Sequence, residues 1–347
     1  MSYSRTRLAL YAFSHFALDM CCFAALYAGV VKSEHAALLV LLYNALAFGL
    51  QAPLGALADR LDDVRPAAAL GLGLVAVGAM AMESYLVCVL LLGIGNALFH
   101  VSGAVAVLRE RPGDALRAGI YVAPGALGVA LGILGASTGT DARVMCVLLM
   151  LVCVFLILAV GPGAPRGCSI VETPHEPPVL GAGAIMLCLA TIGVRSFGGF
   201  SAELPNLLLL GAFSAFLGKL LGGVIARKLN WGVLALLGVG VGGLIMAFFP
   251  GRGFVYFGVF LFNLAMPLTL SAVMKSLPGR TGLGFGLTTL ALLLGWLPLV
   301  ALETGYHAPA LLLAGIALVA ALTLFFILRP RKPITEIQEE NPDESAA

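Results

Sequence analysis

The chain has 347 residues, of which 60% are hydrophobic and 11% charged, with 43 glycines and a mean hydropathy of +1.02. Soluble domains carry roughly 25% charged residues and roughly 7% glycine, so a soluble fold is excluded. The 20 basic and 18 acidic residues nearly cancel. No basic face interleaved with aromatics marks a nucleic-acid groove, so no nucleic-acid partner is expected.

A hydrocarbon core about 30 Å thick is crossed by about 20 apolar residues. Runs of that kind predict spans at 8–31, 36–57, 67–83, 85–107, 118–139, 144–163, 179–202, 205–226, 231–249, 253–274, 282–302 and 307–328. The first run, Leu8 to Val31, is too long for a signal-peptide core and is followed by many like it, so it is expected to be retained. The turn between the seventh and eighth spans, near Glu203 and Pro205, is so short that a half-length helix is expected there if anywhere. The most polar internal stretch, 164–178, reads as a linker between a six-helix bundle at 1–163 and a second at 179–328. Residues 329–347 begin basic, end acidic and have little to bury, which predicts a disordered tail. The seven cysteines show no CxxC pair and sit mostly in apolar runs as small hydrophobes, so no metal ligand set and no cofactor are expected.

Counting from a cytoplasmic N-terminus, fifteen of the twenty lysines and arginines fall in inside segments. Only Lys32, Arg143 and Arg252 fall outside, and Arg195 and Lys219 lie within spans. The positive-inside rule then puts both termini in the cytoplasm, and the expected location is a bacterial inner membrane.

The loop GALADR at Gly55 recurs as GVIARK at Gly223. The fourth and tenth spans each carry an asparagine, Asn96 and Asn263, followed by Pro-Gly at Pro112 and Pro278. Two halves of six in the same orientation predict a pseudo-two-fold axis along the membrane normal and a substrate site near the midplane between them.

On these features the chain resembles the major facilitator superfamily, over essentially all of its helical region. The resemblance implies an all-α integral membrane protein of about twelve helices in two six-helix bundles, a secondary transporter acting as a monomer. GALADRLDDVR, Gly55 to Arg65, looks like that superfamily's loop signature, in which an acid after the glycine turn meets a helix N-terminus. That makes Gly55, Asp59 and Arg60 a candidate conformational latch. Arg227 stands at the acid's position in the second copy, so only the first half is expected to latch. Within the superfamily, Ser14–Met20 (SHFALDM), Asn96–His100 (NALFH) and Val194–Ser196 are similar to the fosmidomycin-resistance group of exporters. Val101 and Ser102 depart from that group's pattern, and Ile133 follows Gly132 where antiporters favour proline. This departure motivates uptake of a metabolite as the alternative to export.

Ionisable residues inside a membrane are costly and are functional candidates by default. Asp19 lies twelve residues past Arg7, roughly 18 Å deep, and His15 is four residues earlier on the same helical face. An acid and an imidazole in a cavity can exchange a proton, so Asp19, His15 and His100 are the proton-coupling candidates. Asn96 and His100 also share a face at i, i+4. Asn96, Asn263 and Arg195 are the substrate-binding candidates. An asparagine near the midplane such as Asn263 is slightly more often interhelical glue than a ligand contact, and Arg195 either snorkels to the outer surface or meets an anion there. Lys219 reads as a snorkelling lysine. Gly125, Gly128, Gly132 and Gly135, spaced 3, 4 and 3, form a face that another backbone can approach. The expected partners are a small molecule, neutral or anionic, protons and membrane lipid. An intramembrane enzyme is the less favoured alternative, because there is no HExxH and no GxSxG, and no P-loop lysine supports ATP-driven pumping.

Overall fold

The computed structural model describes residues 2–139, 141–161, 179–204, 207–302 and 306–329. The predicted linker, and the predicted tail apart from Arg329, lie outside them. Twelve helical segments run in chain order: α1 (Ser2–Ala28), α2 (Ala36–Ala58), α3 (Arg65–Met80), α4 (Tyr85–Leu108), α5 (Ala115–Ser137), α6 (Arg143–Ala159), α7 (Ala182–Ser201), α8 (Leu208–Ile225), α9 (Trp231–Phe248), α10 (Val255–Lys275), α11 (Thr281–Val300) and α12 (Ala310–Leu328). Ten of these regions are long and apolar enough to cross a membrane. The shorter two are α3, with 16 residues, and α6, with 17. The seventh and eighth spans, on either side of the short predicted turn near Glu203, are not half-length but hold 20 and 18 residues.

Local chemistry sets the starts and breaks. Asp114 Oδ1 accepts from the Leu116 and Arg117 amides and starts α5, and the Asn230 side chain does the same for Gly232 and Val233 at the start of α9. α2 widens into a π turn at Ala45–Gly49, ahead of Pro53, whose ring would otherwise meet the Gly49 carbonyl one turn earlier. α10 is interrupted after Asn263 and resumes at Met266, because Pro267 has no N–H to return to that turn.

The packing repeats with a shift of six helices. α1 lies on α5, and α3 on both α4 and α6; α7 lies on α11, and α9 on both α10 and α12. Across the middle, α2 meets α11 and α5 meets α8, a pair of contacts that the same shift exchanges. Buried apolar residues form two clusters. One is drawn mainly from α1–α6 with Leu270, Met274 and Phe285 added, the other from α7–α12 with Ala115 added. The glycine face of α5 makes the α1 contact possible. A Cβ on Gly128 or Gly132 would strike the Phe16 or Met20 carbonyl, whereas Gly135 faces open space.

Candidate functional site

α1 and α4 bring four of the sequence candidates into one buried cluster. Asp19, His15, Asn96 and His100 are each 5–8% exposed. His15 Nε2 is 3.2 Å from Asp19 Oδ2, and His100 Nε2 is 3.6 Å from Asp19 Oδ1. The two imidazoles meet directly, Nε2 to Nε2, at 2.9 Å. Asn96 Nδ2 donates to Asp19 Oδ1 at 3.2 Å and to the Tyr43 hydroxyl at 3.3 Å. His100 Nδ1 is 2.8 Å from the Asn96 carbonyl. A carbonyl only accepts, so that nitrogen carries the proton and His100 Nε2 presents a lone pair to the cluster. His15 Nε2–H then donates to it, with Asp19 beside the same hydrogen. The Tyr121 hydroxyl donates to the His100 carbonyl at 2.9 Å, and its ring lies 5.0 Å from that of His15.

The second-half candidates stay apart from this cluster. Arg195 is 8% exposed, so it does not snorkel. One of its terminal nitrogens donates to the Phe262 carbonyl at 3.0 Å, its guanidinium lies 5.1 Å from the Phe262 ring centroid, and its Nε is buried with no partner. It sits at the interruption of α10 that Pro267 causes. Asn263, the next residue in that turn, donates to the Val259 carbonyl of its own helix at 2.9 Å, and its Cβ packs beside Gly218 of α8. Lys219 of α8 is half-buried and is an electrostatic neighbour of Asp19 across the middle of the molecule.

One end of the bundle, the basic end, ties the two sets of helices together. Asp59 Oδ1 accepts from the Gly282 amide at 2.7 Å and Oδ2 from the Leu283 amide at 2.9 Å, both at the start of α11. Two free N–H groups at a helix N-terminus suit a carboxylate. Gly55 and Gly282 bring their backbones together, and a Cβ on either would overlap the other's carbonyl. Arg60 is exposed. Arg109 instead holds the loop, donating to the Ala58 and Leu61 carbonyls at 3.0 and 2.9 Å. Burial raises the Asp59 carboxyl above the usual range, although the two amides and the Arg109 and Arg280 charges oppose it. The second copy of the loop is also tied across. Arg227 donates to Asp114 Oδ2 at 3.4 Å, and Gly223 sits on the Ala115 carbonyl. Here the acid stands at the start of α5 and the base at the end of α8, the reverse of the first copy's arrangement.

No family model matches the sequence, and no curated protein matches it either. Solved structures do. The Escherichia coli fucose:proton symporter FucP aligns over 92% of this chain and 97% of its own, with a TM-score of 0.65 and 14% identity. A structure of FucP in the outward conformation gives a TM-score of 0.63 at 15% identity, over 90% of this chain and 97% of its own. The human organic anion transporter MFSD10 gives 0.67 at 17% identity, over 92% and 99%. The chain has the major facilitator fold. It is a multi-pass membrane protein.

Within the major facilitator fold, several residues around the cluster escaped the sequence reading. Tyr121 had no signal, since a tyrosine in an apolar run is most simply core. Gly125 was read only as part of a packing face, yet a Cβ there would strike Asp19 Oδ2. At the basic end, Asp114, which starts α5 and accepts from Arg227, was missed as well.

Proposed function

We propose that this chain is a secondary active transporter of the major facilitator superfamily that works by alternating access and exports a small compound in exchange for protons. The observation that carries the reading is the buried contact of Asp19 with two imidazoles inside this fold. A lone carboxylate would be expensive there, and His15, whose Nε2 lies close to both Asp19 and His100, makes it a site that can load and release a proton. The solved structures it resembles are transporters, which supports the transporter reading. Export rests on the likeness of Ser14–Met20 to the fosmidomycin-resistance group. The basic end, with both termini, faces the cytoplasm of a bacterial inner membrane, and Asp59 latches that end shut. The two bundles are 1–163 and 179–328, acting as a monomer. Asn96, Arg195 and Asn263 contact the substrate, and an anionic group would compete with the Phe262 carbonyl for Arg195.

The test is a growth panel in an efflux-deficient bacterium, comparing wild type with Asp19→Asn at matched expression across phosphonates, other antibiotics and toxic metabolites. Protection by the wild type alone is expected. Protection retained by Asp19→Asn would overturn the coupling role, and increased sensitivity with the wild type would reverse the direction to uptake.

A further inference from the structure

The cluster at Asp19 also has the spacing of a metal centre. His15 Nε2 and His100 Nε2 are 2.9 Å apart, His15 Nε2 is 3.2 Å from Asp19 Oδ2, and His100 Nε2 is 3.6 Å from Asp19 Oδ1. Tetrahedral coordination with bonds of about 2.0–2.1 Å needs ligand atoms about 3.3 Å apart; the distance between the two imidazoles, and that from each imidazole to its nearer carboxylate oxygen, lie close to that edge, and a small turn of the Asp19 carboxylate would bring one oxygen toward both rings. All three residues are buried, and their ligand atoms converge within 4.8 Å of one another.

The surroundings hold these groups as metal ligands are held. His100 Nδ1–H is fixed on the Asn96 carbonyl, which turns the Nε2 lone pair inward, and the Asn96 amide holds Asp19 Oδ1. His15 Nδ1 is buried without a partner, so no protein acceptor locks this ring in its Nε2–H form. Moving that proton to Nδ1 gives a second inward lone pair. Two imidazoles and one carboxylate suit zinc and its first-row neighbours rather than magnesium or calcium, which take oxygen ligands.

We propose that His15, Asp19 and His100 bind a divalent transition-metal ion of the zinc class, with the fourth position left to water or substrate. This rests on the reading of the cluster as the transporter's ion site and adds a regulation to it. Metal and shared proton use the same nitrogen lone pairs, so each excludes the other, and a bound metal arrests transport.

The experiment uses the full chain purified in detergent and stripped with a chelator, titrated with Zn2+ against a chromophoric competitor. One site is expected in the wild type, weakened at least roughly tenfold in His15→Ala and in His100→Ala. It should be unchanged in His35→Ala, whose exposed ring controls for surface binding. Asn96→Leu keeps all three ligands and removes an amide that orients one, so it should weaken zinc binding even if an alanine variant fails to fold. No zinc binding by folded wild type, or binding indifferent to both histidines and to Asn96, would overturn the site. Transport is measured alongside. Transport lost in Asp19→Asn with zinc never bound removes the metal site and leaves the transporter reading, whereas zinc bound at the cluster with transport surviving in Asp19→Asn does the reverse.

Discussion

Gly125 shows how tightly the cluster is drawn. Its missing side chain leaves the space that the Asp19 carboxylate and His15 Nε2 occupy, and it follows Pro124 inside α5. Gly125→Ala should separate the acid from the imidazole and abolish proton-driven transport while the helices remain folded, read by proton flux in proteoliposomes and by circular dichroism. Asn96 carries a different load, since its amide spans Asp19 and Tyr43. Asn96→Ala leaves a buried carboxylate one donor short, which costs about 1–3 kcal/mol and should lower the unfolding midpoint in detergent. The pairs His15–Asp19 and Asn96–His100 were legible because i, i+4 spacing fixes which side chains share a helical face. Their joining was not. Spacing along one helix says nothing about which face of α1 turns to which face of α4, and depth along α7 could not show that Arg195 is claimed by a carbonyl beside a proline break in α10.

At the level of the elements, the two ties at the basic end use opposite chemistry at related places. At the α2–α11 contact, an acid on the loop meets bare amides. At the α8–α5 contact, the amides already have their own Asp114, and an arginine reaches that acid. Asp59→Asn keeps the volume but turns an N–H2 toward one of the two amides, so the closed basic end should lose about 1–3 kcal/mol, a shift of roughly 5- to 150-fold toward opening. Accessibility of a cysteine introduced at Gly55 would confound that contact, so the shift is better read by spectroscopic distances between labels on α2 and α11.

Proton linkage at the same place has a definite sign. The Asp59 carboxyl has a raised pKa when closed and returns to about 3.9 when opening exposes it to water. The closed form therefore binds protons more tightly and gains as pH falls through the window just above the ordinary value; that gain is lost as pH rises through the raised one. The same distance measurement should show little change between neutral and mildly alkaline pH and increasing closure in the acid carboxylate range. Opening on acidification would contradict it. A cross-link offers an independent check on the other tie. The described native cysteines are buried, so in a Cys168→Ser background the pair Asp114→Cys and Arg227→Cys should react selectively with a bifunctional methanethiosulfonate, which joins the two thiols through disulfides, and stop transport until a reductant cleaves them.

For the molecule as a whole, the twelve-part layout was readable because length in a membrane is set by a single thickness, and loop charge alternates only when the count is right. The two-fold repeat was readable from one loop motif and one asparagine. Helix heights within the layout were less legible, because an apolar run continues into turns such as Ala81–Ser84 that the backbone does not keep helical. That difference affects the surrounding lipid. α3 and α6 pack against one another, and at about 1.5 Å per residue they rise roughly 24 and 26 Å, less than the roughly 30 Å of an average hydrocarbon core. Their outward residues, among them Leu70, Val77, Leu148 and Phe155, are large, apolar and exposed. One flank of the first half thus presents a shorter apolar wall than its neighbours, and a bilayer that wets it must thin locally at a cost that grows with acyl chain length. Under the proposed function, transport should run faster in short-chain than in long-chain phospholipid vesicles, with the membrane's own thickness setting part of its rate.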